Sequence, residues 1–163
     1  MNDNEWGTLY LVPTPIGNLE DMTYRTIRIL NEVDLIAAED TRHSIKLLNH
    51  FEISKPLTSY HEHNKDSKGG YLINKLLEGE NIALISDAGM PGISDPGEDI
   101  IKQAIEHNID IEVLPGATAS ITALVGSGLE TAKFAFEGFL DRDKKVRRNQ
   151  LEELKEERRT IIF

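Results

Sequence analysis

Short, mostly apolar runs alternate along the chain with longer segments in which apolar residues recur every three or four positions. Such runs are typical of strands buried on both faces, whereas the wider spacing is typical of helices with one apolar face. The sequence predicts strands at residues 8–12, 35–38, 82–85 and 109–114. It predicts helices after residue 23, at 71–78, at 96–107 and through 121–125. This alternation indicates an α/β fold, a mostly parallel sheet with helices on both faces.

The connection after the run at 82–85 is the most constrained in the chain. Glycines and prolines recur through it, which makes the loop rigid and lets a ligand approach the backbone. Asp95, Pro96 and Glu98 have the arrangement of a helix cap, a first helical residue and an acid three positions after the cap. Open α/β sheets bind small molecules at the carboxyl ends of their strands, so this loop is predicted to bind a ligand.

Four of the predicted strands end in unusual loops, at residues 13–18, 39–42, 87–96 and 115–120. Parallel strands bring their carboxyl ends to one edge of a sheet, so we expect the four loops to form one rim. None of them has the G-x-x-x-x-G-K-[ST] or G-x-G-x-x-G pattern that holds nucleotide phosphates. The predicted ligand is therefore a small zwitterion or a neutral nucleoside.

The segment after residue 132 has a different character. We expect an N-terminal α/β domain over residues 1–132, a hinge strand over 133–140 and the truncated start of a second α/β domain over 141–163. The final run, residues 160–163, has the pattern of an apolar strand, and the sequence offers no evident partner for it. We interpret the chain as a fragment of a longer protein.

Composition narrows the function classes. The 163 residues include 18 lysines and arginines against 28 aspartates and glutamates, a formal net charge of −10. Phosphate binding needs clustered cations, so a surface that binds nucleic acid all over is excluded, although a local basic patch is not. The absence of cysteine excludes disulfides and thiolate metal sites. Without a leader-like start or a run long enough to span a membrane, we expect a cytoplasmic protein.

Five segments of the chain together resemble the tetrapyrrole methylase superfamily of S-adenosylmethionine-dependent methyltransferases. In order they are VPTPIGNLEDMT, AEDTRHS, ISDAGMPGISDPG, LPGATAS and FEGFL, and the likeness extends from Gly7 onward. The greatest resemblance is to the branch that methylates a cytidine ribose 2′-hydroxyl of small-subunit ribosomal RNA. The porphyrin branch has G-x-G-P-G-D in the first loop. Here Pro13 and Pro15 replace two of those glycines and only Gly17 remains, which favours RNA over a porphyrin substrate.

The resemblance implies that S-adenosylmethionine binds between two domains, held largely by backbone groups. It also implies a homodimer that acts on ribosomal RNA, and it leads us to expect that this chain alone is inactive. The residues that match the family's cofactor loops and hinge strand are Pro15, Asp87, Ala88, Gly89, Pro91, Ser94, Asp95, Pro115, Gly116, Ala117, Thr118, Ala119, Phe139 and Leu140.

Methylation of a ribose hydroxyl needs a nearby proton acceptor, because the hydroxyl is a poor nucleophile near neutral pH. The candidates are Glu39, Asp40 and His61, and the turn that contains Glu39, Asp40 and Arg42 is favoured as the catalytic element. Arg42 either pairs with these acids or contacts an RNA phosphate. A purely structural ion pair between Asp40 and Arg42 is an equally good interpretation.

Two further clusters have competing interpretations. His61, Glu62 and His63 have the chemistry of metal ligands, but alternate residues of an irregular segment share no fixed face, so a solvated loop is favoured and no metal is predicted. A basic cluster is either an RNA-backbone contact or a solvated helix start; it comprises Lys144, Lys145, Arg147 and Arg148.

Two other functions are weighed against RNA methylation. One is a small-molecule methyltransferase of the porphyrin type, which the first loop disfavours. The distant alternative is a receiver-like regulatory module, because Asp34, Glu39, Asp40 and Asp87 all lie near predicted strand ends. A receiver domain would leave the glycine- and proline-rich loops unexplained.

Overall fold

The computed structural model describes residues 5–163, which form two compact units, one that ends at Ala117 and one that spans Thr118–Phe163. Residues 1–4, where the predicted N-terminal domain begins and the leader pattern was sought, lie outside the described residues. No helix in the described part of the chain is long and apolar enough to cross a membrane. The first unit contains β1 (Leu9–Leu11), α1 (Tyr24–Glu32), β2 (Leu35–Ala38), α2 (Thr41–His50), β3 (Leu57–Ser59), α3 (Lys65–Leu77), β4 (Ile82–Ile85), α4 (Glu98–Glu106) and β5 (Ile111–Val113).

The first unit is built on a five-stranded sheet in the order β3-β2-β4-β1-β5. Every neighbouring pair is parallel; in β1, for example, Leu9 lies opposite Ile82 on one side and Ile111 on the other. The predicted parallel sheet is therefore confirmed. The strands β2 and β4 begin and end where the sequence pattern predicts, because four consecutive apolar residues define each of them.

Alternate residues of β2 and β4 pack into two separate apolar cores, one on each face of the sheet. Leu35, Ala37, Ile82 and Leu84 join residues of α3 and α4. Ile36, Ala38, Ala83 and Ile85 join residues of α1 and α2. Both faces of these strands are thus covered, which explains why their sequences are continuously apolar. The predicted helices on both faces are confirmed.

Two of the helices of the first unit begin at side-chain caps. The hydroxyl of Thr23 accepts from the backbone N–H of Thr26 at 3.0 Å, so α1 begins directly after residue 23, as the sequence predicts. Asp40 caps α2 in the same way through Arg42. A side-chain oxygen at this position satisfies one of the backbone donors that a helix start leaves unpaired.

The predicted start of the helix at 71–78 is wrong, because α3 already begins at Lys65. Gly69 is buried, and a Cβ at this position would lie 3.0 Å from the side-chain nitrogen of Gln103 in α4. The glycine that disfavours a helix in the sequence is therefore what lets α3 pack closely against α4.

The predicted start of the helix after β4 is also wrong. Asp95 does not cap it and Pro96 does not open it, since α4 begins at Glu98 and its capping position is Gly97, with no side-chain hydrogen bond. Gly97 has a φ of 154°, and a Cβ there would lie 3.1 Å from the backbone of Gly92. Tight packing within the loop at Gly97 sets the helix start, and Asp95 is left free for another role.

The second unit contains α5 (Ala119–Gly126), β6 (Phe134–Phe136), α6 (Lys144–Glu153) and β7 (Thr160–Ile162). β6 and β7 form a two-stranded parallel sheet, with Phe134 opposite Thr160. The expectation that the final apolar run has nothing to pair with is thus wrong. Its partner lies within the predicted hinge strand, across an intervening helix. The predicted boundaries at residues 132 and 140 stay predictions.

Candidate functional site

The predicted rim is present in the first unit, at the carboxyl ends of the parallel strands. The loops after β1, β2 and β4 and the start of the loop after β5 all follow strands of one parallel sheet, so they lie on the same edge. The following contacts fix these loops relative to one another and determine which side chains face a ligand.

The loops after β1 and β4 are joined by a pair of backbone hydrogen bonds. The N–H of Thr14 donates to the carbonyl of Gly89 at 2.9 Å, and the N–H of Gly89 donates to the carbonyl of Thr14 at 3.0 Å. The Thr14 hydroxyl also donates to the carbonyl of Ser86 at 3.2 Å, and both side chains are buried. Pro15 and Asp87, which flank this bridge, are therefore held in fixed positions.

The loop after β5 packs against the loop after β1. A Cβ on Gly116 would lie 2.3 Å from Cγ of Pro13, so only glycine fits between the two loops. Pro115 is exposed and Ala117 is half-buried at this contact. Gly116 and Ala117, two of the predicted cofactor residues, thus shape the rim through their backbone. Pro13, which packs against Gly116, is one of the two prolines that replace glycines of the porphyrin branch in the resemblance described above.

Asp40 and Arg42 form the structural ion pair that was one of the two predicted interpretations. One carboxylate oxygen of Asp40 accepts from the backbone N–H of Arg42 at 2.8 Å and from its Nε at 3.1 Å, and the other accepts from Nη2 at 2.7 Å. Hydrogen bonds from Arg42 hold the pKa of Asp40 far below its ordinary value. Both oxygens are engaged, so Asp40 is a poor proton acceptor.

Three other carboxylates meet beside this turn. Burial raises the pKa of Glu39, and the neighbouring charges of Asp95 and Asp87 raise it further. Burial also raises the pKa of Asp95, with a contribution from Asp87 and an opposing hydrogen bond from Ser86. Asp87 in turn accepts from the backbone N–H of Asp40 at 3.2 Å, which links the ends of β2 and β4. A concentration of negative charge suits a cation or the hydroxyls of a sugar.

Two cavities open on the rim within the first unit. The first, of about 510 Å³, has mainly apolar walls, with Asp87, His43 and Lys46 as its ionisable groups. Its lining residues are Thr14, Pro15, Ile16, Gly17, Leu19, His43, Lys46, Leu47, Asp87 and Ala88. Pro15, Asp87 and Ala88 were predicted as cofactor residues, and the structure brings them together here.

The second cavity, of about 390 Å³, lies between the ends of β2, β3 and β4 and has a more polar lining. Its residues are Glu39, His61, Glu62, His63, Ser94, Asp95 and Pro96. Glu39 was predicted as catalytic, and Ser94 and Asp95 as cofactor residues. The remaining predicted residues of the loop after β4, Gly89 and Pro91, are buried within that loop.

The other predicted site residues belong to the second unit. Thr118 and Ala119 lie at the start of α5, and Phe139 and Leu140 follow β6, with Phe139 largely exposed. The basic cluster lies in the first turns of α6, where Lys144, Lys145 and Arg148 are exposed and Nη1 of Arg147 donates to the carbonyl of Asp141 at 3.2 Å.

The sequence analysis missed the helix side of the first cavity. His43, Lys46 and Leu47 lie on α2 at spacings of three and four, so they share one face of that helix. The cap at Asp40 and this spacing were the available signals.

The receiver-like alternative is not supported by where the acids lie. Asp34 precedes β2 and accepts from the backbone N–H of Asn81, whereas Glu39 and Asp40 follow β2. Asp34 is therefore at the opposite end of the sheet from the other acids. Within residues 5–163, no group of three histidines, cysteines or acids is placed to hold a metal ion.

Comparison with known proteins places this geometry in a family. The profile of "Tetrapyrrole (Corrin/Porphyrin) Methylases" matches residues 8–163. The chain is 60% identical to ribosomal RNA small subunit methyltransferase I of Halalkalibacterium halodurans, over 96% of this chain and 54% of that protein. It is 56% identical to the protein of the same name from Synechocystis, over 96% of this chain and 56% of that protein.

The fold is shared with a solved structure of lower sequence identity. Uroporphyrin-III-C-methyltransferase from Thermus thermophilus superimposes with a TM-score of 0.59 at 23% identity, over 80% of this chain and 59% of that one. The chain spans little more than half the length of the two curated relatives described above. Since the family profile covers almost the whole chain, including all five segments, the chain belongs to the tetrapyrrole (corrin/porphyrin) methylase family.

Proposed function

We propose that this protein is an S-adenosylmethionine-dependent methyltransferase that methylates the 2′-hydroxyl of a cytidine ribose in small-subunit ribosomal RNA, in the cytoplasm. The observation that carries the proposal is the 60% identity to a ribosomal RNA small subunit methyltransferase I along nearly all of this chain. The rim agrees with it, since its first loop has prolines at positions 13 and 15, where porphyrin methylases have glycines.

The rim has features that suit the cofactor. S-adenosylmethionine carries a sulfonium cation, an ammonium group and ribose hydroxyls, all of which favour carboxylates as partners. Besides burial, the charges of Asp95 and Asp87 raise the pKa of Glu39, and Asp87 also raises that of Asp95, so a nearby cation would relieve this repulsion. When bound, the cofactor supplies an activated methyl group. The protein's own task is to align that group with the ribose oxygen and to exclude water.

The residues of the first unit proposed to bind the cofactor fall into two groups. Some act through side chains at the cavities or the rim, namely Pro15, Asp87, Ala88, Ser94, Asp95 and Pro115. Others shape the backbone against which the cofactor lies, namely Gly89, Pro91, Gly116 and Ala117. Thr118, Ala119, Phe139 and Leu140 match the same family pattern and stay predictions for the second unit.

The catalytic element proposed is the turn after β2, with Glu39, Asp40 and Arg42. Glu39 faces a cavity, whereas the Arg42 side chain is 89% exposed and bound to Asp40. Contact with ribosomal RNA is proposed for Lys144, Lys145, Arg147 and Arg148 of α6, since phosphate contacts depend on accessible cations. A homodimer is proposed on the family resemblance alone.

The proposal is tested by calorimetric titration of S-adenosylmethionine and S-adenosylhomocysteine. The titration is done with this chain and with a longer version that has the full length of its relatives. Binding by the longer version alone would mean that residues beyond Phe163 complete the site, and equal binding by both would assign nearly all contacts to the loops named here. Binding by neither would overturn the methyltransferase proposal.

The substrate is tested with the longer version and radiolabelled cofactor. We expect label in small-subunit ribosomal RNA, in a nucleoside that digestion identifies as 2′-O-methylcytidine. Label in uroporphyrinogen but not in RNA would support the porphyrin-type alternative instead.

A further inference from the structure

In the turn after β2, Glu39 is a better candidate proton acceptor than Asp40, because Glu39 lines the second cavity. This cavity is lined by Glu39 from the end of β2, by His61 from the segment after β3 and by Asp95 from the loop after β4. The catalytic assignment made from sequence treats Glu39 and Asp40 as equivalent, but their surroundings differ.

Glu39 and His61 are neighbours because the two strands that carry them are hydrogen-bonded to their ends. The backbone N–H of Tyr60 donates to the carbonyl of Ala38 at 2.8 Å, which continues the pairing of Ala38 with Ser59 and places Glu39 opposite Tyr60, one residue before His61. Ala38 and Tyr60 are both fully buried, which makes this junction rigid.

The segment that carries His61 is fixed from two further directions. The backbone N–H of His61 donates to the side-chain oxygen of Asn64 at 2.8 Å, and the Asn64 amide donates to the Ser59 hydroxyl at 3.2 Å. Lys65 pairs with Glu62 at 2.7 Å and with Asp99 of α4 at 2.8 Å. These contacts fix the backbone that carries the imidazole.

His61 also has an unused ring nitrogen. Its Nδ1 is shielded from solvent and has no hydrogen-bond partner among the residues that the structure describes. A buried polar atom without a partner costs free energy, so such atoms are uncommon in folded proteins unless a ligand or water completes them. The ring of His61 lines the same cavity as Glu39, so a group that enters the cavity meets this imidazole.

We propose that Glu39 accepts the proton of the target ribose hydroxyl in this cavity and that His61 holds the ribose as a positioning residue. Asp40 and Arg42 serve only to shape the turn. This inference rests on the proposed function. In the step, the ribose O–H bond breaks and its proton goes to the Glu39 carboxylate while the oxygen bonds to the methyl carbon. The methyl–sulfur bond breaks with its electron pair left on sulfur, and Glu39 later loses the proton to solvent.

The charges around Glu39 suit this role. Asp87 and Asp95 from the loop after β4 disfavour its ionised form, and the nearby His61 partly offsets them. Glu62 and His63 complete the ionisable groups of the cavity. A carboxylate that is harder to ionise than usual is a stronger base, and bases with a pKa nearer to neutral accept protons more effectively.

The decisive variants are Glu39→Gln and Asp40→Asn in the longer version of the chain, with Glu106→Gln on the exposed end of α4 as the control. General-base catalysis typically contributes about 10²–10⁴-fold, so we expect Glu39→Gln to lower the single-turnover rate by at least about 100-fold. Its acid limb in the pH–rate profile should disappear, and the rate should stay low at a saturating concentration of cofactor. Asp40→Asn should lose less than about tenfold.

A second measurement does not need the cofactor. Carboxyl and imidazole NMR titrations of this chain should show Glu39 with a pKa above its ordinary value, and Glu39→Gln should change the shifts of the His61 ring. A full rate in Glu39→Gln, a larger loss in Asp40→Asn, or a Glu39 pKa at or below its ordinary value would overturn the inference while leaving the proposed function intact. An unmutated protein that binds cofactor but does not methylate RNA would overturn both.

Discussion

The two sheets of the molecule differ in whether they contain fully buried strands. In the first unit, all residues of β2 and β4 are buried. In the second unit, β6 buries only Ala135 and exposes Phe134 and Phe136, and β7 is half-buried throughout. Two strands alone are marginally stable in water, whereas five strands between two layers of helices form a core. The comparison teaches that stability and site geometry reside in the first unit.

The largest expected effect is loss of a core side chain from that first sheet. Leu84→Ala removes a fully buried leucine of β4, and comparable substitutions cost about 2–5 kcal/mol. Phe136→Ala, at a position 44% exposed in β6, should leave hydrogen-exchange protection of the first sheet unchanged. Equal loss of protection in the first sheet by both variants would show that the two units do not differ in this way.

Two glycines should respond in opposite directions. Gly116→Ala forces a methyl group into the Pro13 ring, and overpacking of this kind costs about 1–3 kcal/mol. Gly126→Ala, on α5 in the second unit, meets nothing within 4 Å and should stabilise that helix by about 0.5–1 kcal/mol. Thermal unfolding of the two variants measures both signs, and destabilisation by Gly126→Ala would contradict the expectation.

Helix caps provide a smaller comparison between the units. Thr23→Ala removes the cap of α1, which packs on the first sheet, and should lower the free energy of unfolding by about 1 kcal/mol. Asp143→Ala removes the cap of α6, where no residue is buried. Hydrogen exchange of the α6 amides should accelerate, while the midpoint of thermal unfolding of the first unit should not change. A shift in that midpoint would count against separate responses.

The smallest expected effect is a difference in pH dependence. Glu39 and Asp95 have raised pKa values in the folded first unit. Their favourable contribution to its free energy of unfolding is therefore present below their ordinary pKa, and it is lost as pH rises through the raised values. Glu39→Gln should therefore stabilise the first unit at pH 7 and have little effect near pH 4. Stability curves of the variant and parent against pH test this, and a constant difference would refute it.

The second unit should respond to acid with the opposite sign. Hydrogen bonds from Arg159 lower the pKa of Glu157 to about 2, so this pair contributes stability above the ordinary pKa of glutamate and loses it as pH falls toward 2. Both side chains are near the surface, and the effect should weaken with added salt. Hydrogen exchange of the backbone amides around Glu157, measured from pH 5 down to pH 2.5, tests this.

Much of the fold was predictable because local pattern and long-range packing agree in it. The buried strands β2 and β4 are continuously apolar, and the loops between the elements are marked by glycine and proline. The errors occurred where packing overrides local preference. Gly69 opposes a helix by propensity but fits between α3 and α4, and the pairing of β6 with β7 depends on residues separated by a helix.

The candidate site was predictable in position but not in detail. Strand ends and loop composition located the rim and its acids. They did not distinguish Glu39 from Asp40, because adjacent carboxylates in a sequence carry no information about which oxygens are already engaged. Nor did they reveal that His61 lines the same cavity as Glu39, since this depends on the pairing of β2 with β3 up to Tyr60.

The strand order of the first sheet also bears on how the chain folds during synthesis. β1 lies between β4 and β5, so its partners at Ile82–Ile85 and Ile111–Val113 are translated about seventy and about a hundred residues after Leu9. At ribosomal rates of about 5–20 residues per second, β1 waits several seconds without a neighbour. Its two leucines and its tyrosine therefore have no sheet partner until β4 has been made.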